Sequence, residues 1–119
     1  MLLNKRMKFP SKSISQLQIY ISGKITQRGF DDETLEQRLM LLTEEIGELN
    51  KACRKRSGIK TGQHSNDHQI GHEIADVINM IFAVAIELGI DVEAEYSDKE
   101  TEIDQRLYSK DNCKDLEIR

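Results

Sequence analysis

The 17 residues from Ile74 to Ile90 are apolar on almost every side of a helix, yet the run contains Asp76, Asn79 and Glu87 and is entered through Glu73. No other feature constrains the fold as strongly. A helix that is hydrophobic nearly all round must be covered on more than one side. Its length approaches that of a bilayer span, but a charge at mid-membrane costs about 3 kcal/mol on insertion scales. Asp76 therefore directs the run into a soluble bundle, covered by neighbouring helices and plausibly by a second subunit.

The rest of the chain supplies the neighbours. Pro10 is the only proline, and the sequence after it is helical in pattern. Ser13 followed by Gln16 suggests a capping box opening a first helix near residue 14. Its apolar stripe is Ile14, Leu17, Ile21 and Ile25, with Gly29 as the stop. Asp31 and Asp32 offer an N-cap to a second helix over 33–56, whose stripe is Leu35, Leu39, Leu42, Ile46, Leu49 and Cys53. Arg54, Lys55 and Arg56 fall in its last turn, where the helix dipole favours cations, and Gly58 lies beyond. The segment 57–66 reads as a polar loop. Asn66 or Asp67 caps a third helix ending at Gly89, and Asp91 caps a fourth over 92–108, apolar at Val92, Tyr96, Ile103 and Leu107. No strand or repeat is evident. The expectation is an all-α bundle of about four helices, dimerising through the apolar central helix. It divides into an N-terminal extension, 1–12, a helical domain, 13–108, and a tail, 109–119, expected to be mobile.

Composition narrows the function classes. With 38% apolar and 5% aromatic residues in 119, the core of one chain is thin. A net charge of −4 argues against nucleic acid or an anionic membrane as partner. Cys53 and Cys113 match no metal or redox spacing, and the basic N-terminus lacks a signal-peptide h-region. A reducing cytoplasm is the expected compartment, and Cys53 is expected as a small buried residue.

The acids carry the chemical signal. With Leu42 at zero on a helical wheel, Glu45 falls near about −60° and Glu48 near about −120°, on one flank of the core, while Glu44 falls near about 200°. With Ile74 at zero, Glu73 lies near about −100° and Asp76 near about −160°, beside apolar surface. If the two helices face each other, Glu45, Glu48, Glu73 and Asp76 concentrate negative charge against the core. Unpaired, they repel one another and lose solvation. A divalent cation resolves that conflict, and oxygen-only ligands suit Mg²⁺ or Mn²⁺ rather than zinc. The competing reading is of ordinary exposed helix acids balanced by Arg38 and Lys51.

"EEIGE" and "EIAD", with 24 residues between Glu48 and Glu73, resemble the EExxE…ExxD signature of the MazG-like, all-α nucleoside triphosphate pyrophosphohydrolases. "ISQLQIYISGKITQRGF" is similar to that family's first helix and its Arg-Gly-aromatic ending, and "ELGIDVEAE" to the turn into its last helix. The resemblance spans about residues 13–108. It implies a dimeric or tetrameric enzyme that splits an NTP or dNTP into monophosphate and pyrophosphate. In that reading Glu45, Glu48, Glu73 and Asp76 hold Mg²⁺, for which Mn²⁺ can substitute. Glu44 and Glu45 are the catalytic candidates, and water attacks the α-phosphorus. Two features depart from the pattern. Ile103 stands where the family's Lys…Asn…Arg series would place asparagine, between Lys99 and Arg106. "VINMIF" lacks the Tyr-His pair of the related phosphoribosyl-ATP pyrophosphohydrolases, which argues against that enzyme.

Further substrate contacts are expected from Lys55, Asn79, Lys99 and Arg106, with base and sugar choice set by the first and fourth helices and a neighbouring subunit. Asn79 could equally serve an inter-helix hydrogen bond, and Lys55 a solvated helix end. His64, His68 and His72 recur at helical spacing, but no fourth zinc ligand accompanies them. A non-enzymatic helical dimer acting as an interaction or regulatory module is the alternative. A di-iron bundle would require Glu-x-x-His pairs that neither acid pair supplies.

Overall fold

The computed structural model describes residues 13–57 and 66–109. They form four helices in chain order: α1, Ile14–Gln27; α2, Leu35–Arg56; α3, Asp67–Glu87; and α4, Val92–Ser109. Among the described residues there is no strand, and the architecture is the expected all-α bundle. The N-terminal extension, His64, most of the 57–66 loop, Cys113 and the tail after 109 lie outside the described residues.

The helix ends follow from local chemistry. Ser13 Oγ accepts from Gln16 N at 3.1 Å and opens α1. At α2 the cap is Thr34, not Asp31 or Asp32. Thr34 and Gln37 exchange side chain-to-backbone bonds of 2.9 and 3.1 Å, satisfying two otherwise orphaned amides at once. The two aspartates lie in the preceding turn. Asn66 and Gln69 make the same reciprocal pair at α3. Asp91 Oδ1 accepts from Ala94 N at 3.2 Å at the start of α4.

Helices α1 and α3 stop in the same way. Gly29 and Gly89 have φ of 79° and 68°, a left-handed conformation that costs a side-chain-bearing residue about 1–2 kcal/mol. Phe30 N then reaches Ile25 O, and Ile90 N reaches Ala85 O, each at 2.9 Å. Gly29 N and Gly89 N bond the carbonyls of Thr26 and Ile86, completing a Schellman motif at each end.

Helix α3 packs mainly on α2 and then on α1, while α4 leans on α1. Among the described residues few are buried: Ile21, Ala52, Phe82, Ala83, Ala85 and, unexpectedly, Arg38. Leu39 and Ile46 of the anticipated α2 stripe are exposed, as are Ile74, Ile78 and Ile81 of α3. Cys53 is exposed rather than buried, because Ala52, one position earlier, turns inward. Within the described residues, apolar faces of α2 and α3 are thus uncovered. Helix α3 is, among the described residues, the one helix long and apolar enough to cross a membrane. Its Glu73 and Asp76, however, lie against Glu45 of α2.

Candidate active site

The α2–α3 packing turns the sequence spacing into a site. Glu45 projects from the middle of α2, and Glu73 and Asp76, one turn apart, project from the first half of α3. One carboxylate oxygen from each lies within 4.8 Å of the others. Glu45 and Glu73 are half-buried and Asp76 is exposed. Among the described residues, no lysine or arginine forms an ion pair with these three or with Glu48. Burial pushes the Glu45 carboxyl above the usual carboxylate range, and the charges of Asp76, Glu73, Glu48 and Glu44 push it further the same way.

Arg38 does not neutralise the cluster. Its guanidinium, 2% exposed, donates to Ala83 O at 2.7 Å and to Phe30 O at 3.4 Å, and approaches Glu87 at 3.7 Å. The picture of acids balanced by Arg38 therefore fails on placement.

Glu48 is exposed and stands outside the three-carboxylate group, close enough to act on Glu45 by charge. Glu44 is also exposed and lines a separate depression with Gln37, Met40 and Leu41.

A groove of about 500 Å³ opens beside the cluster between α1, α2 and α3, and Glu45 and Asp76 form part of its wall. Asn79 lines it, beyond Asp76. Tyr20 and Lys24 of α1 and Arg28, its C-cap, line it too, together with Phe30 and Glu33 from the α1–α2 turn. The sequence alone does not single out these α1 side chains. The available signal is their spacing by four, which places them along one edge of the Leu17–Ile21–Ile25 stripe.

The other expected substrate residues lie elsewhere. Lys99 and Arg106 both reach Glu102, at 3.2 and 4.0 Å, on the outer part of α4. Neither they nor Lys55, half-buried in the last turn of α2, line the groove. Of the helices expected to choose base and sugar, α1 forms a wall and α4 does not. His68 and His72 lie against each other, ring centroids 4.1 Å apart, and take no part in the carboxylate group.

One known family matches the chain: phosphoribosyl-ATP pyrophosphohydrolase, over residues 16–106. That is the relative against which the absent Tyr-His pair argued, so the pair is not required for the likeness. No curated protein and no solved structure gives a significant match.

Proposed function

The chain belongs to the phosphoribosyl-ATP pyrophosphohydrolase family, and from that premise we propose that it cleaves the α–β phosphoanhydride of a nucleoside triphosphate, releasing the monophosphate and pyrophosphate. It is a nucleotide pyrophosphohydrolase, which sets aside the non-enzymatic helical module. The substrate class we propose is an NTP or dNTP. Phosphoribosyl-ATP, named by the family, presents the same phosphate chain and belongs in the same test.

The observation that carries the reading is the convergence of Glu45, Glu73 and Asp76 with no paired cation among the described residues. All-carboxylate donors with several like charges fit a hard divalent ion, Mg²⁺ or Mn²⁺. In this proposal Glu45, Glu73 and Asp76 hold it, with Glu48 contributing from the next turn of α2. A cation bound there supplies positive charge against the phosphates and makes water a better nucleophile.

The chain's own residues do the rest. Water attacks the α-phosphorus in line with the leaving pyrophosphate. Glu45 belongs to both the cluster and the groove wall. It is the group proposed to take the proton of the attacking water. Glu44 acts on Glu45 through its charge. Asn79, in the groove beside Asp76, donates or accepts a hydrogen bond at the substrate.

Assembly completes the proposal. The uncovered Leu39, Ile46, Ile74, Ile78 and Ile81 support a homodimer or homotetramer burying these faces, in a soluble cytoplasmic enzyme.

The test is pyrophosphate release from NTPs, dNTPs and phosphoribosyl-ATP, with Mg²⁺, Mn²⁺ or EDTA. Metal-dependent turnover on at least one nucleotide, lost in folded Asp76→Asn, is expected. Turnover equal in EDTA, or unchanged in Asp76→Asn, would refute the metal site. No turnover on any of these nucleotides would refute the substrate class.

A further inference from the structure

The groove combines two opposite chemistries. Glu33, Glu45 and Asp76 line it, and so do Lys24 of α1 and Arg28, the residue that caps that helix's C-terminal end. Among the described residues these are the two cationic side chains lining it. In a chain of net charge −4, two cations facing an acid-lined groove call for an explanation. Salt bridging across it is not the answer, because neither residue forms an ion pair with a described acid. Lys24 instead bonds Gln27 Oε1 at 2.8 Å and lies 5.5 Å from the Tyr20 ring centroid. Those contacts hold the ammonium in place without neutralising it.

The phosphate chain of a nucleotide needs more positive charge than one cation cluster supplies, and the fourth helix does not provide it at this groove. Lys99 and Arg106 share Glu102 and lie outside the lining, and Ile103 cannot hydrogen-bond through its side chain. We propose that Lys24 and Arg28 bind the phosphate chain of the substrate directly, as the protein's own cationic lining of the groove that also holds the carboxylates. Tyr20 steadies Lys24 from one turn earlier. Arg28 offers the forked donor geometry that suits a phosphate group, and Lys24 a point charge. This assignment rests on the nucleotide reading above, and it transfers phosphate recognition from α4 to α1.

The experiment is equilibrium binding of α,β-methylene-ATP, which cannot be cleaved at the α–β bond, to the full chain in Mg²⁺. Lys24→Gln and Arg28→Gln each weaken binding about tenfold, the loss of one charge-assisted hydrogen bond at a partly exposed site. The double variant weakens it further and flattens the dependence of affinity on salt, because fewer charges remain to be screened. Lys24→Arg stays within about threefold of the parent, since the charge is retained, and Arg28→Lys loses less than Arg28→Gln, keeping the charge but not the fork. Lys99→Gln/Arg106→Gln binds as the parent does. Melting temperatures of all variants, unchanged from the parent, separate lost recognition from lost folding.

Undiminished binding in the folded double variant overturns the proposal, as does a larger loss in Lys99→Gln/Arg106→Gln. The two readings also fail separately. Turnover that depends on Asp76 but not on Lys24 or Arg28 keeps the enzyme and removes this wall. Nucleotide binding that depends on Lys24 and Arg28, with no turnover on the whole panel, keeps the wall and removes the proposed reaction.

Discussion

Arg38 of α2 donates from Nη1 to the carbonyl oxygen of Ala83 in α3 at 2.7 Å, placing a buried guanidinium between the two helices. The same group reaches Phe30 O and lies near Glu87, so it joins the α1–α2 turn to the last turns of α3. Its position near the C-terminal end of α3 also sets a positive charge against the helix dipole. Nε has no hydrogen-bond partner among the described residues, so part of the desolvation cost remains uncompensated there.

Removing Arg38 should therefore be expensive and removing its acid cheap. Arg38→Ala removes a buried inter-helix hydrogen bond to Ala83 O and opens a cavity; the expected loss is about 2–3 kcal/mol. Glu87, whose side chain is 38% exposed, can return to water, so Glu87→Gln should cost under about 1 kcal/mol. Urea unfolding of the two variants checks the order. A costlier Glu87→Gln would mean that the ion pair, not the carbonyl bond, is the main tie.

Gln18 makes a second tie, between α1 and the corner joining α3 to α4. Its Nε2 donates to Ile90 O at 2.7 Å, and its Oε1 accepts from Val92 N at 3.0 Å. Only a neutral amide offers both a donor and an acceptor in that arrangement. Gln18→Glu should lose about 1–2 kcal/mol at pH 7, where a carboxylate faces a carbonyl oxygen. Part of that loss should return at pH 4, when the acid can donate. A variant as stable at pH 7 as the parent would show that the corner does not depend on this amide.

The caps of α1, α3 and α4, the helix order and the acid pairs were legible in the sequence because each is written in local spacing; the α2 cap, Thr34 instead of Asp31 or Asp32, was not. Ser13 with Gln16, Asn66, Asp91 and the two terminal glycines act within one turn, where residue type nearly dictates geometry. The ExxE and ExxD spacing likewise needs only helical period to gather Glu73 with Asp76. Arg38 could not be read in this way. By period it was a polar neighbour of the acids, and its burial depends on where Phe30 O and Ala83 O arrive once three segments have packed. Cys53 and Ala52 differ by one wheel position, which periodicity does not resolve when both are small. The α1 wall of the groove was hidden for a related reason: Tyr20, Lys24 and Arg28 have an ordinary solvated pattern until α3 stands opposite them.

Glycine substitutions separate backbone need from empty space. Gly23, inside α1, and Gly29, at its end, both have nothing within 4 Å of an added Cβ, but only Gly29 has positive φ. Gly23→Ala should stabilise the protein by about 0.5–1 kcal/mol through helix propensity. Gly29→Ala should destabilise it by about 1 kcal/mol or more by forcing a left-handed alanine. Thermal melts of the pair should move in opposite directions. A shift of the same sign in both would mean that crowding in an assembly, rather than backbone conformation, governs these positions.

Glu45 links stability to catalysis with a definite sign. Its carboxyl in the folded chain is raised above the ordinary value of 4.5, by burial first and then by Asp76, Glu73, Glu48 and Glu44. Between those values the folded state holds a proton that the unfolded state releases, so stability falls as pH rises. This group's favourable contribution is fully present below pH 4.5 and is lost as pH rises through the folded value. Glu45→Gln cannot ionise, so in EDTA it should melt higher than the parent at pH 7, with the gap closing toward pH 4. Mg²⁺ should then stabilise the parent, by about 1.4 kcal/mol per decade of concentration above its Kd, and stabilise Glu45→Gln much less. The variant's kcat should drop by about 100-fold or more, as expected when a group that moves a proton is removed. Melting curves across pH 4–8, with and without Mg²⁺, decide the matter. If Glu45→Gln melts below the parent at pH 7 in EDTA, the carboxylate supports the fold instead of straining it, and the cluster needs no cation to offset its charge.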